Sequence, residues 1–279
     1  MMKYYSSPAK INRMLKVVRR EANGYHYLQT IFQFTTLNDQ IGFKKRAHGG
    51  LIFHYPHDNF SLDEDLIYRA IVLLEKESGQ TFHLEIDLIK NLPMGGGVGG
   101  GSSNAGTTLL VLNHLYDLEL STEKLIELGA KLGADVPIFI YGKSAWAEGI
   151  GEKLQPISLP EEEMLLIVPN IPISTRKVFE SEHLSRHNQR LEGIYFDQSR
   201  KINDCESAIF HHYPKMKRYM EQLTAMNTDP FITGTGASIY IAKPDADTLT
   251  KIKALASEND WTLHPFNAIN QSPLLDELN

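Results

Sequence analysis

Pro93-Met94-Gly95-Gly96-Gly97-Val98-Gly99-Gly100-Gly101-Ser102-Ser103-Asn104 stands between two apolar segments, residues 83–90 and 105–115. In the first, Leu84, Ile86 and Leu88 fall on one side, the period of a half-buried strand. The second has the propensity and apolar spacing of a buried helix. The order strand, glycine loop, helix governs how the rest of the chain is read. Six glycines in seven positions let main-chain N–H groups approach a ligand that any Cβ would hold off. If Ser102, Ser103 and Asn104 open the helix, its unpaired N–H groups and positive dipole end face the same point, where a di- or triphosphate is best stabilised. A flexible linker fits poorly, because disorder between a buried strand and an apolar helix forfeits both packing surfaces.

Two phosphate motifs can be tested against this loop. A Walker A loop needs Gly-Lys followed by Ser or Thr, and no such lysine is present. A dinucleotide fingerprint matches nominally through Gly95, Gly97 and Gly100, with Asp117 near the distance of a ribose-binding acid. Asp117, however, runs into another helix instead of ending a second parallel strand.

Upstream, residues 16–20 and 27–35 flank Asn23-Gly24, a dipeptide that accepts positive φ at both central positions of a tight hairpin turn. Ser61 and Glu64 form a capping box ahead of a helix with Leu66, Ala70, Leu73 and Leu74 on one face, stopped by Gly79. Downstream, Ser121 caps a helix with Leu125, Leu128 and Leu132 facing inward, closed by Gly133. Asp135-Val136-Pro137 then forms a joint before an expected strand over residues 138–141. From 165–168 onward strand and helix signals restart. Helices are expected over 176–184, 206–210 and 216–226 and a strand over 238–242, as in a second α+β lobe. Residues 185–200 lack periodicity and read as an excursion, not a linker.

A chain of 279 residues buries roughly 75% of its unfolded surface, enough core for two lobes. Hydrophobic residues at 42% and charged ones at 22% exclude disordered and fibrous classes. The single cysteine, Cys205, cannot form an internal disulfide, which fits a reducing cytoplasm and removes a Cys-rich metal site. Apolar runs such as residues 164–168 fall far short of the roughly 18 residues that a membrane span needs. The N-terminal residues lack the apolar stretch of a signal peptide and are expected to belong to the fold. With 34 acidic against 28 basic residues and a net charge of −6, a nucleic-acid partner lacks its electrostatic drive.

The glycine loop resembles the central phosphate loop of the galactokinase, homoserine kinase, mevalonate kinase and phosphomevalonate kinase (GHMP) superfamily, which binds ATP. Further blocks occur in order: Pro8-Ala9-Lys10-Ile11-Asn12, Asn23-Gly24-Tyr25-His26, Gly133-Ala134-Asp135-Val136-Pro137, Asn203-Asp204 and Thr233-Gly234-Thr235-Gly236-Ala237-Ser238. Together, across nearly the whole chain, they are similar to those of the 4-diphosphocytidyl-2-C-methyl-D-erythritol kinase family. That resemblance implies an α+β, two-lobed GHMP kinase fold. Its N-terminal lobe would be like the second domain of ribosomal protein S5 (residues 1–153), and its C-terminal lobe ferredoxin-like (154–279). It implies transfer of the ATP γ-phosphoryl group to a hydroxyl of a CDP-linked sugar alcohol in the non-mevalonate isoprenoid pathway.

Residue by residue, the resemblance makes Lys10 and Asp135 catalytic. Asp135 would accept the hydroxyl proton as the oxygen attacks phosphorus, and Lys10 would keep it ionised and offset charge on the moving phosphoryl group. Pro93 to Ser103 would hold ATP, with Asp65, Leu66 and Lys90 lining the nucleoside pocket. Asp65 stands where the family usually has Asn, and an acid accepts hydrogen bonds without donating them. Tyr25 and Phe179 would sandwich cytosine, His26 would bond its edge, and Asn12 would contact the erythritol hydroxyls. Mg²⁺ is expected on the β- and γ-phosphates, with Ser102 as a ligand, although no Asp-Asp or His cluster marks a metal site. The turn at 234–238 would pack its backbone against the phosphate end.

Each residue also has a plainer identity: Asp135 a turn cap, Lys10 a solvated charge, Phe179 a core residue, Asn12 a turn residue. At the level of function, another GHMP kinase of the homoserine or mevalonate type stays open. So does RNA binding by an S5-like lobe, which the acidic balance disfavours.

Overall fold

The computed structural model describes residues 1–22, 24–55, 61–194, 196 and 202–278. Asn23 lies outside them; its neighbour Gly24 has φ +87°, and the hairpin forms as expected. Strands β1 (Lys3–Arg20) and β2 (His26–Lys45) are much longer than the alternation suggests and pair antiparallel, from Lys3 opposite Phe43 to Arg20 opposite His26. Their register shifts between Pro8 and Lys10 and again between Asn12 and Met14. Bulges of this kind re-aim side chains, and here they bracket Lys10 and Asn12.

On the other edge of β2 lie β4 (Leu84–Ile89) and β5 (Ala145–Gly149), both antiparallel to it. β3 (Leu51–Phe53) runs parallel to β4, and β6 (Lys153–Pro156) antiparallel to β5. The helices of this lobe are α1 (Leu66–Ser78), α2 (Gly100–Leu115), α3 (Thr122–Leu132) and α4 (Val136–Tyr141). They close a core around Ile41, Phe43, Leu74, Leu84, Leu109 and Leu112. Leu109 and Leu112 have no exposed surface, so each contributes roughly 1.5–3 kcal/mol of burial.

The second lobe places β7 (Glu163–Pro169) between β9 (Ile239–Ala242) and β10 (Trp261–Ile269), with β8 (Phe231–Ile232) outside β9. Helices α5 (Thr175–Glu180), α6 (Glu206–His212), α7 (Pro214–Thr224) and α8 (Ala246–Asn259) accompany it, and the short α9 (Leu274–Glu277) returns to β1. A separate core forms around Leu165, Ile167, Ile209, Leu223 and Ile239, and the hairpin end of β1 joins it through Leu15 and Val17. The last residues of β10, Ala268 and Ile269, pair with Thr35 and Phe34 of β2, so one hydrogen-bonded path runs through both lobes. The result is the two-lobed α+β arrangement that the family resemblance implies.

Three local expectations need correction. Residues 138–141 are not a strand but belong to α4, with Pro137 in the first helical turn, where its missing N–H costs nothing, and Gly142 (φ +70°) closing the helix. A short apolar run has no period that separates strand from helix, and here partners decide. A Cβ on Gly106 would stand 2.8 Å from Phe139 Cβ, and one on Gly129 2.5 Å from Ile140 Cδ1, so the two glycines admit α4 as a helix. The Ser61–Glu64 capping box closes only a 3₁₀ turn over Leu62–Glu64; the residue capping α1 is Asp65, whose carboxylate accepts from Ile67 N and Tyr68 N. The helix expected over 176–184 stops at Glu180, because Ser181 is extended.

Candidate active site

Lys10 is 2% exposed, yet its Nζ reaches 3.1 Å from Asp135 Oδ2, and it donates to Asn12 Oδ1 at 2.8 Å and to the Gly97 carbonyl at 3.2 Å. The Phe32 ring lies beneath, 5.3 Å from the ammonium. A buried cation needs such partners. Asn12 is fixed in turn: its amide donates to Thr30 Oγ1, and its backbone N–H donates to Thr233 Oγ1 of the second lobe. Asp135 occupies the N-cap position of α4, but its side chain makes no cap bond. Its carboxylate, 37% exposed, turns to Lys10 and the open space beside it.

That space is bounded by the glycine loop. α2 opens at Gly100, two residues before the expected start, with Gly99 (φ +78°) at its N-cap. Only part of the glycine run gives access. A Cβ on Gly97 (φ +76°) would lie 2.8 Å from the carbonyl oxygens of Thr233 and Gly236, whereas a Cβ on Gly95 would meet nothing within 4 Å. Gly97 therefore serves the docking of the second-lobe turn, which is fastened further by Ser238 N donating to Gly96 O at 3.2 Å. Val98 is buried, and its carbonyl accepts from Lys10 N. Ser103 also faces inward, donating to the Pro8 carbonyl at 2.6 Å and bonding Ser7 Oγ. The side chains of these two residues of the expected ATP-binding run are buried and support the loop from within.

At the end of the cavity where the nucleoside is expected, Asp65 is buried, caps α1 and accepts the Tyr55 hydroxyl at 2.7 Å, with Leu66 next to it. Burial first, and then the Asp65 carboxylate, raise the Tyr55 pKa, so its proton stays in that bond. Lys90 is held by Asp39, whose Oδ2 lies 2.5 Å from Nζ and whose Oδ1 accepts from Asn91 N and Leu92 N. Asp39 has no exposed surface. It escaped the sequence reading because an isolated acid within a long strand carries no local signal.

The ring set against Phe179 is His26, centroids 5.2 Å apart and 30° between planes, while Tyr25 is 58% exposed. Burial, followed by Arg186 and Arg20, lowers the His26 pKa. Arg186, in the aperiodic excursion, donates to His26 Nε2; sequence reasoning had no sign of it.

A cavity of about 810 Å³ joins these parts. Its wall contains Lys10, Asn12, Asp65, Leu66, Lys90, the loop from Pro93 to Ser102, Asp135, Phe179 and the turn at 234–236; Ser103, Tyr25 and His26 stand outside the lining. A cavity of this size and mixed chemistry suits a nucleotide and a second small molecule. Its charged couple beside a helix N-terminus suits transfer of an anionic group.

A family model described as the GHMP kinases N terminal domain matches residues 65–143. A 4-diphosphocytidyl-2-C-methyl-D-erythritol kinase of Methylococcus capsulatus is 40% identical, covering 98% of this chain and 94% of that protein. One of Francisella philomiragia is 42% identical, covering 94% of each. The crystal structure of a 4-(cytidine 5'-diphospho)-2C-methyl-D-erythritol kinase superposes with a TM-score of 0.78 at 29% identity, covering 96% of this chain and all of that one. At 40–42% identity over nearly the whole chain, and with the same fold, the chain belongs to the 4-diphosphocytidyl-2-C-methyl-D-erythritol kinase family of the GHMP kinases.

Proposed function

We propose that the cavity between the lobes binds ATP and 4-diphosphocytidyl-2-C-methyl-D-erythritol and transfers the γ-phosphoryl group to a hydroxyl of the erythritol part. The chain is an ATP-dependent small-molecule kinase of the non-mevalonate isoprenoid pathway, and its products are the 2-phosphate and ADP. The observation that carries the mechanistic reading is the 3.1 Å contact of Lys10 with Asp135 in the wall that also holds the first turn of α2.

In this reading the N–H groups at the start of α2 take the triphosphate, and the lysine and carboxylate act on the acceptor. Asp135 takes the hydroxyl proton. Lys10, unable to swing away because Asn12 Oδ1 and Gly97 O hold it, offsets the negative charge that builds on the transferring group. Asn12 orients the erythritol hydroxyls, Asp65, Leu66 and Lys90 receive the nucleoside of ATP, and Phe179, His26 and Tyr25 hold the cytosine. The proposed lobes are residues 1–153 for ATP and 154–279 for the remainder of the substrate site.

Among the described residues no group of three or more His, Cys, Asp or Glu side chains could hold a metal ion. Mg²⁺ is therefore proposed to arrive with the triphosphate, neutralising its β and γ charges, with the Ser102 hydroxyl in the cavity wall as the protein oxygen. Among the same residues no helix is long and apolar enough to cross a membrane. The buried free thiol of Cys205 supports a cytoplasmic location.

The test is direct. Purified protein is incubated with ATP, Mg²⁺ and one of CDP-methylerythritol, homoserine or mevalonate, and ADP release is followed. Only the cytidyl substrate should support turnover, and chelation of Mg²⁺ should abolish it; turnover with homoserine or mevalonate instead would overturn the assignment.

A further inference from the structure

We propose that Arg186 is the positioning residue of the base clamp: it holds His26 as the Nδ1–H tautomer, so that the site accepts cytosine and rejects uracil. This rests on the reading of His26 and Phe179 as the cytosine site.

Arg186 touches both halves of that site. Its Nη2 donates to the Phe179 carbonyl at 3.0 Å and to the Ser181 carbonyl at 2.6 Å, and its Nε donates to His26 Nε2 at 3.3 Å. A guanidinium has five N–H donors and no acceptor. His26 Nε2 must therefore offer its lone pair, which places the ring proton on Nδ1 and makes that nitrogen a donor. Arg186 thus ties the backbone that carries Phe179 to the imidazole stacked on the same ring.

The segment that delivers the guanidinium is itself anchored. Asn188 Nδ2 donates to the Val17 carbonyl and to Asp204 Oδ2, each at 2.8 Å, and Asp204 Oδ2 also accepts from Val17 N. A little further on, Leu191 N donates to Gln29 Oε1 and Gln29 Nε2 donates back to Leu191 O. Val17 and Gln29 lie on the two strands that run toward the hairpin bearing His26. The Asn203-Asp204 block thereby acquires a structural role, since Asp204 holds the base of the excursion from which Arg186 reaches the clamp.

The chemical consequence follows from the two bases. The bases differ at N3, a lone-pair acceptor in cytosine and an N–H donor in uracil, while O2 is an acceptor in both. A Nδ1–H donor pairs with the first and opposes the second, leaving two donors face to face. Sites that leave a buried polar group unpaired with the wrong ligand discriminate strongly. Burial and the flanking Arg186 and Arg20 also keep the imidazole neutral, so the tautomer is not lost by protonation near neutral pH.

The test uses the full chain labelled with ¹⁵N-histidine, whose long-range ¹H–¹⁵N spectrum reports which ring nitrogen of His26 carries the proton. It adds steady-state kinetics of R186M, R186K and F179A with CDP-methylerythritol and its uridine counterpart. The unsubstituted chain should show Nδ1–H. R186M should lose that preference and raise KM for the cytidyl substrate by about tenfold, the equivalent of about 1.4 kcal/mol, with the loss falling on KM more than on kcat. Its discrimination against the uridine compound should narrow similarly. R186K, which still donates, should restore the tautomer and part of the KM. A proton on Nε2 in the unsubstituted chain overturns the proposal. A raised KM in F179A with an unchanged one in R186M overturns it while leaving the clamp intact. Unchanged KM in both removes the clamp and the proposal together. Should R186M fail to fold, the tautomer of the unsubstituted chain and the KM of R186K decide.

Discussion

Lys10 and Asp135 meet at 3.1 Å with unequal exposure, the lysine side chain 3% exposed on β1 and the carboxylate 37% exposed at the head of α4. The inequality separates their roles. A cation fixed by an amide oxygen, a backbone carbonyl and an aromatic face supplies a stationary field. A carboxylate that retains access to the cavity can exchange a proton with a substrate.

Asp135→Asn keeps the shape of the side chain and removes its basicity. Turnover should fall by about 10² to 10⁴, the usual contribution of a positioned general base, while the dissociation constant for ATP changes little. Rapid-quench kinetics and calorimetric ATP binding check both halves. Near-normal turnover would remove Asp135 from proton transfer and leave the phosphate itself as the acceptor.

Lys10→Met should differ in kind. It removes the charge that compensates the transferring group and also the tie to the Gly97 carbonyl, so the loop loses a support. Both kcat and ATP affinity should suffer, kcat by about 10² to 10³ on the scale of losing one preorganised electrostatic contact. Loss of kcat with unaltered ATP binding would show that the loop keeps its shape without this lysine.

How much of this was legible beforehand divides along physical lines. The glycine loop, the helix after it and the hairpin before it declare themselves locally, through backbone freedom, periodicity and turn chemistry. So does the Gly79 stop of α1, where φ is +69°. α4 did not, because its six residues read equally as a strand until Gly106 and Gly129 stand opposite Phe139 and Ile140. β10 escaped too: Pro265 interrupts its pattern, and its partners Leu165 and Thr35 are far off in sequence. In the site, Lys10 and Asp135 emerged from a family resemblance. Asp39 and Arg186 did not, since a buried carboxylate under Lys90 and an arginine within an aperiodic segment acquire meaning only from what the fold sets beside them.

Gly97→Ala tests the docking of the lobes. The added Cβ would lie 2.8 Å from two carbonyl oxygens of the 233–236 turn, and the backbone already has φ +76°. Neither the turn's backbone nor the dihedral yields cheaply, so a loss of about 1–3 kcal/mol is expected. Denaturant unfolding measures it. Gly95→Ala, with a similarly positive φ but open space around it, should cost less. Equal losses would mean that dihedral strain alone matters at both positions.

Acidification should destabilise the chain in two stages. The His26 pKa lies below its ordinary 6.5 because of burial, then Arg186 and Arg20, and burial lowers that of His264 in the same way. The unfolded chain therefore binds more protons just below pH 6.5, and stability falls as the pH drops through that range. For Glu148, burial pushes the pKa upward, but hydrogen bonds from Gln29, Arg190, Tyr27 and Trp146 outweigh it and hold the group at about 2, against an ordinary 4.5. Its contribution is complete above pH 4.5 and is lost progressively as the pH falls toward 2. Asp204 runs the other way, raised mainly by burial, and offsets part of this loss. The thermal midpoint, followed from about pH 7 downward, should decline first below 6.5 and again below 4.5. Glu148→Gln should start lower at neutral pH and show a smaller second decline, the remainder coming from Glu85, Glu123, Glu127 and Asp245, whose partners also hold them below their ordinary values. A second decline of undiminished size in that variant would mean that other carboxylates, and not the one bridging Gln29 and Arg190, govern acid unfolding.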